Sequence, residues 1–232
     1  MSFHLRGLRD WGVSVLMALV GSCFSSGMAA SAAEELPVIF RDDFENGAER
    51  WEPTDPAAWK VTKTDDGNHV YDQHVKRSKY EPPHRSPYNL SLLKDVKVGD
   101  FVLTAKVRST HPDYGHRDAC LAFGYQNPAH FYYVHLGKQA DDHANQIFIV
   151  NEAPRTKISR KSTSGTNWDD AWHKVRIIRK TADGTIAVYF DNMDEPVMLA
   201  EDKHFTWGRI GLGSFDDTSQ WDDIELRGKI VE

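Results

Sequence analysis

The feature that most constrains this chain is the period of its apolar residues. Across Phe101-Val102-Leu103-Thr104-Ala105-Lys106-Val107-Arg108, apolar Phe101, Leu103, Ala105 and Val107 alternate with Thr104, Lys106 and Arg108. A period of two places one set on each face of a strand. No window sustains a 3.6-residue apolar stripe, so helix is confined to short turns. Ala119 to Tyr125, Phe131 to Leu136, Gln146 to Val150, Lys174 to Arg179, Thr185 to Phe190, Arg209 to Gly213 and Trp221 to Arg227 read as further strands. Turn chemistry separates them, as at Gln126-Asn127-Pro128-Ala129 and Ala182-Asp183-Gly184. Many short strands joined by turns predict an antiparallel two-sheet sandwich.

Two stretches break the pattern. Residues 64–88 are rich in charge, His and Pro and read as a long excursion with one short strand; residues 151–172 read as a loop. Neither is a linker, and there is no internal repeat, so residues 34–232 are expected to form one domain.

The N-terminus reads as an export signal over residues 1–33. Arg6 and Arg9 form the basic region, Gly12 to Val20 the short apolar run, and cleavage sites end at Ala30 or Ala33. An alternative is lipidation at Cys23, which follows Val20-Gly21-Ser22. The expected location is periplasmic or extracellular, and no segment is apolar and long enough to span a bilayer. A formal net charge of −6 gives no electrostatic reason to bind nucleic acid. Cys120, in Ala119-Cys120-Leu121-Ala122-Phe123, reads as a core thiol, and without Cys23 it has no disulfide partner.

Several segments carry a resemblance. Phe40-Arg41-Asp42-Asp43-Phe44-Glu45-Asn46-Gly47 precedes Trp51, and Trp172-His173-Lys174-Val175-Arg176 leads into Val188-Tyr189-Phe190-Asp191-Asn192. Gly208-Arg209-Ile210-Gly211-Leu212 and Trp221-Asp222-Asp223-Ile224 follow. This order resembles the concanavalin-like families, which include laminin-G-like modules and the 3-keto-disaccharide hydrolases. Phe131 to Gly137 and Asp142 to Pro154 depart from the hydrolase pattern. The resemblance implies a concanavalin-like jelly roll, with a concave sheet face where sugars lie. It also implies neighbouring first and last strands, often clipped by Ca²⁺. Asp43, Glu45, the Gly47 carbonyl and Asp223 are the expected oxygen ligands, a donor set suited to that hard cation. Asp216, Asp217 and Asp222 lie on the same C-terminal acidic stretch.

Alternation in Phe131-Tyr132-Tyr133-Val134-His135-Leu136 sends Tyr132, Val134 and Leu136 to the core and Tyr133 and His135 to the opposite, solvent-facing side. There His135 would act as base and Tyr133 as proton partner. Lys106 and Arg108 are expected to join them, one stabilising an enolate oxygen. His84, Arg85, His143, Asn145, Asn151 and Arg155 would bind sugar hydroxyls or acidic groups. Two expectations follow: cleavage of keto-glycosides on that face, or glycan binding without turnover. A transition-metal site in the early loop, among His69, His74 and His84, is disfavoured because no His pair has zincin spacing. Nor is there a G-x-S-x-G, a P-loop or a dinucleotide fingerprint.

Overall fold

The computed structural model describes Met1 and residues 36–232. The export signal and Cys23 lie outside the described residues. In chain order the strands are β1 Val38–Asp42, β2 Trp51–Pro53, β3 Trp59–Lys63, β4 His69–Gln73, β5 Asn89–Leu93, β6 Val98–Ser109, β7 Asp118–Asn127 and β8 His130–Gly137. They continue as β9 Gln146–Asn151, β10 Thr156–Lys157, β11 Ser159–Ser162, β12 His173–Arg179, β13 Thr185–Phe190, β14 Met198–Glu201, β15 Arg209–Ser214 and β16 Ser219–Ile230. One 3₁₀ turn, Pro56–Ala58, is capped by Asp55, whose carboxylate accepts from Ala57 N–H.

Two antiparallel sheets face each other. One has the order β11-β14-β13-β12-β6-β16-β4-β3, with β1 also on β16; the other is β10-β9-β8-β7-β15-β5-β2. The strands predicted from alternation are all present, and the excursion over 64–88 holds one strand, β4. The region 151–172 is not wholly loop: β10 and β11 lie in it. Ser159-Arg160-Lys161-Ser162 forms β11 at a sheet edge beside β14, which explains its polar sequence.

The alternation decides the core. Phe101, Leu103, Ala105 and Val107 of β6 are buried against Leu121 and Phe123 of β7 and Val134 of β8. Phe101 and Phe123 meet edge-on across the two sheets, centroids 5.8 Å apart. At one end Phe44, Trp51, Trp59 and Tyr71 form a second aromatic group in the same core. Each such ring removed from water contributes about 1.5–3 kcal/mol. Between β12 and β13 the hairpin turns at Gly184, whose φ of +85° lies in the left-handed region that a glycine enters at no steric cost.

The long strand β16 pairs with β6 along most of its length but changes its other neighbour midway. Ser219 to Trp221 face β4, whereas Ile224 to Arg227 face β1. The change falls at a bulge between Asp222 and Glu225, where Asp223 has φ +47°. First and last strands are therefore hydrogen-bonded neighbours.

A second apolar layer lies on the outer face of the seven-stranded sheet. Leu90, Leu92, Cys120, Ala122, Tyr125, Phe131, Tyr133, Phe148, Val150 and Phe215 are all buried there, with Tyr88 packed against them. The excursion covers this face. Tyr88 N–H donates to the Phe215 carbonyl at 3.0 Å, and its ring meets Phe215 edge-on at 5.1 Å. Asn89 Nδ2 donates to the Lys76 carbonyl, Ser78 Oγ to the Tyr88 carbonyl, and Arg155 N–H to the Arg85 carbonyl. The segment thus satisfies its backbone through side chains and neighbouring loops rather than through a ladder.

Candidate functional site

The alternation placed Tyr133 and His135 correctly on the face opposite Tyr132, Val134 and Leu136, but that face is not open to solvent. Tyr133 is 0% and His135 5% exposed: Phe215 stacks on His135, Arg155 bonds the Tyr133 hydroxyl, and Arg85 and Tyr88 lie against Phe215 in turn. The Tyr133 ring stacks on Phe148 at 5.1 Å, its hydroxyl accepts from Arg155 Nη1 at 3.0 Å, and burial pushes the phenol pKa up. His135 stacks on Phe215, centroids 5.8 Å apart and planes 14° from parallel.

The proton arrangement at His135 follows from its partners. Nδ1 lies 2.8 Å from the His143 carbonyl, which can only accept, so Nδ1 carries a hydrogen. Nε2 then faces Asp118 Oδ2 at 3.4 Å, buried and without a hydrogen-bond partner. A neutral imidazole would aim a lone pair at a carboxylate. The pair is complementary only when a proton or another cation stands between them.

Asp118 links this pair to a second acid. Its N–H donates to Asp217 Oδ2 at 2.9 Å, and its Oδ1 accepts from Phe215 N–H at 2.9 Å. Asp217 also accepts from Tyr114 Oη at 2.7 Å, and His111 Nε2 lies 3.2 Å away. Burial, followed by the charge of Asp118, raises Asp217 from 3.8 to about 7, against the lowering effect of these hydrogen bonds. Asp118, Asp217, Phe215, Tyr114 and His111 were not singled out as site residues from sequence. The available signal was Asp118-x-Cys120 on the Tyr133 side of the sheet, joined to Phe215-Asp216-Asp217 by pairing that no local pattern reveals.

The other expected residues divide. Arg85 and Arg155 bring their guanidinium carbons 5.4 and 4.1 Å from the centre of Phe215, the ring that stacks on His135. His84 adjoins Arg85, and His143 supplies the carbonyl under His135 while its side chain is exposed. Asn145 is buried at φ +53°, its amide donating to Ser162 Oγ and the Thr163 carbonyl, so it serves the turn. Asn151 follows the alternation of Ile147 and Ile149, away from Phe148.

Lys106 and Arg108 do not converge with His135. They project from the outer face of the nine-stranded sheet, because β6 pairs with β12 and β16, not with β8. Lys106 Nζ pairs with Asp223 Oδ2 at 2.6 Å; Arg108 Nη2 donates to Gln220 Oε1 at 2.5 Å and lies over Trp172.

The expected calcium residues lie elsewhere, along β1 and β16. Asp43, Gly47 and Asp223 line a cleft of about 650 Å³ together with Asp42, Glu49 and Glu225. Glu45 is turned to His69, accepting from its N–H at 2.7 Å and meeting Nδ1 at 2.6 Å. Glu49 takes its place beside Gly47, where a Cβ would come within 2.5 Å of the Glu49 carboxylate.

Among solved structures the chain is similar to the carbohydrate-binding module CBM66 from Bacillus subtilis, with a TM-score of 0.55 and 13% identity over 77% of this chain and 96% of that one. It is similar to domain 4 of AbnA, a GH43 extracellular arabinanase from Geobacillus stearothermophilus, in complex with arabinotriose (TM-score 0.54, 10% identity, 86% and 96% covered). Lectin I-B4 from Griffonia simplicifolia, in its metal-free form, gives 0.51 at 11% identity, with 82% and 99% covered. The chain has the concanavalin-like jelly-roll fold. No family model matches the sequence, and no curated protein matches it. Among the described residues, no helix is long and apolar enough to cross a membrane.

Proposed function

We propose that this is an exported carbohydrate-active protein that binds glycan at the rim of the seven-stranded sheet's outer face. The observation that carries this reading is the gathering of Arg85 and Arg155 over Phe215, joined by the Arg155 N–H to Arg85 carbonyl bond. The Arg155 guanidinium is held by the Tyr133 hydroxyl, and the exposed Arg85 lies by the same Phe215 ring. Such groups suit a carboxylate or sulfate on a sugar, with His84 and the exposed His143 as further hydrogen-bonding candidates. The folds of CBM66 and of the AbnA domain, the latter holding arabinotriose, support the sugar class.

Binding is favoured over turnover because His135 and Tyr133 are sealed below the rim. The second reading, proton transfer by His135 with Tyr133 during keto-glycoside cleavage, draws on the His135–Asp118 pair and requires residues 84–88 to lift. Screening the purified protein on a glycan array and on 3-keto-glucosides, with product detection, tests both. Retention of an acidic glycan, lost in Arg85→Ala, is the expected result. Released sugar would move the assignment to catalysis, and neither retention nor release would sink the carbohydrate reading.

A structural Ca²⁺ between β1 and β16 belongs to the same proposal. Asp43, Gly47 and Asp223 line one cleft there, with the Glu49 carboxylate beside Gly47 as a further donor in place of Glu45. Lys106 would have to leave Asp223 for the ion to enter.

A further inference from the structure

Asp118, Cys120 and His135 form a group that glycan binding leaves unused. Asp118 and Cys120 are two apart on β7 and so share its outer face, while Cys120 is the direct cross-strand partner of His135 on β8. One carboxylate oxygen, one sulfur and one imidazole nitrogen consequently lie within 4.8 Å of one another. All three residues are buried, at 1%, 0% and 5% exposure.

The second observation is the state of the imidazole. His135 Nε2 is buried, has no hydrogen-bond partner and is aimed at the group, while Nδ1 is committed to the His143 carbonyl. A carbonyl holding the far nitrogen is the arrangement that fixes the tautomer of a metal-ligating histidine. Phe215 N–H orients the Asp118 carboxylate in the same way. A proton between His135 and Asp118 would also reconcile that pair; Cys120 Sγ, a thiol donor 3.8 Å from Asp118 Oδ1, brings a soft ligand atom to the same carboxylate.

We propose that Asp118, Cys120 and His135 bind Zn²⁺ through Oδ, Sγ and Nε2. Mixed N, S and O donors suit a borderline-soft cation and not Ca²⁺ or Mg²⁺. Three protein ligands leave the fourth position for water, as in open zinc sites. Asp216 and Asp217 also bring carboxyl oxygens close to Asp118. On binding, the Cys120 thiol gives its proton to solvent and its sulfur lone pair to the metal; any proton held between His135 and Asp118 also leaves. The site is independent of the glycan reading.

The test uses the full chain under a thiol-free reductant, unfolded and refolded with Zn²⁺ or with chelator because the site is enclosed. The expected result is one zinc retained per chain after desalting. Co²⁺ in its place should give a thiolate-to-metal charge-transfer band. Cys120→Ser and Asp118→Asn, checked for folding by circular dichroism, should each lower affinity at least tenfold. No retained metal, cobalt without the thiolate band, or zinc retained equally by Cys120→Ala would overturn the proposal. The cobalt spectrum of the unmodified chain decides the matter even if a variant fails to fold.

Discussion

The Tyr114 hydroxyl donates to Asp217 at 2.7 Å, holding a buried carboxyl that also faces Asp118. Asp217 is raised from 3.8 to about 7, so the folded state binds its proton more tightly than the unfolded chain does. Its contribution to stability is complete below about pH 4 and is lost as pH rises through about 7. His111, whose pKa burial and Lys76 lower, acts in the opposite direction. Comparing the unmodified protein with Asp217→Asn therefore isolates the acid. In chelator, the melting temperature of Asp217→Asn relative to the unmodified chain should rise between pH 5 and 7 and level off above about 7. A constant difference would mean that Asp217 is ionised throughout.

Burial changes what His135→Ala should do. On an open face it would cost roughly 0.5 kcal/mol. Stacked on Phe215 and bonded to the His143 carbonyl, it should cost about 2–4 kcal/mol in denaturant unfolding, comparable with Tyr132→Ala. A cost near zero would mean that residues 84–88 stand away from the sheet in solution.

Arg179 offers a separate test of the core. It is 2% exposed; Nη1 donates to the Gly184 and Asp202 carbonyls at 2.8 Å each, and Nη2 to Phe205 at 3.0 Å. A lysine lacks the planar fork needed for three such acceptors. Arg179→Lys should lose about 2–4 kcal/mol, measured as a lower urea midpoint at unchanged slope. Near-neutral stability would show that water replaces the guanidinium.

Calcium should raise the melting temperature if it clips β1 to β16. At a hundredfold excess over its dissociation constant one ion stabilises by about 2.7 kcal/mol. Asp223→Ala should abolish the response, and Glu45→Ala should leave it, since Glu45 is engaged by His69. Identical melting curves in calcium and in chelator would remove the ion from the proposal.

Much of the sandwich was legible because the inward face of each long strand writes itself into every second residue. Phe101 to Val107 and Tyr132 to Leu136 are examples. Alternation tells which face a side chain takes within its strand, but not which sheet the strand joins. Lys106 and Arg108 were therefore grouped with His135 although β6 and β8 lie in different sheets. Nor does it reveal a second covering layer: Pro82-Pro83-His84-Arg85 has no period, and it is held by bonds such as Arg155 N–H to the Arg85 carbonyl. The short strands β2, β3, β5 and β14, three to five residues each, gave too few repeats to count.

Because Val38 of β1 sits opposite Arg227 of β16, the first and last strands of the described domain lie side by side in one sheet. A short linker could join the two ends, and the chain could be reopened at the exposed Ala182-Asp183 tip without cutting a ladder. In such a circular permutant, β1 and β16 would become a local hairpin instead of a closure spanning nearly the whole chain. The entropy of that long loop would no longer oppose their pairing, and the permutant should fold faster wherever this pairing belongs to the nucleus.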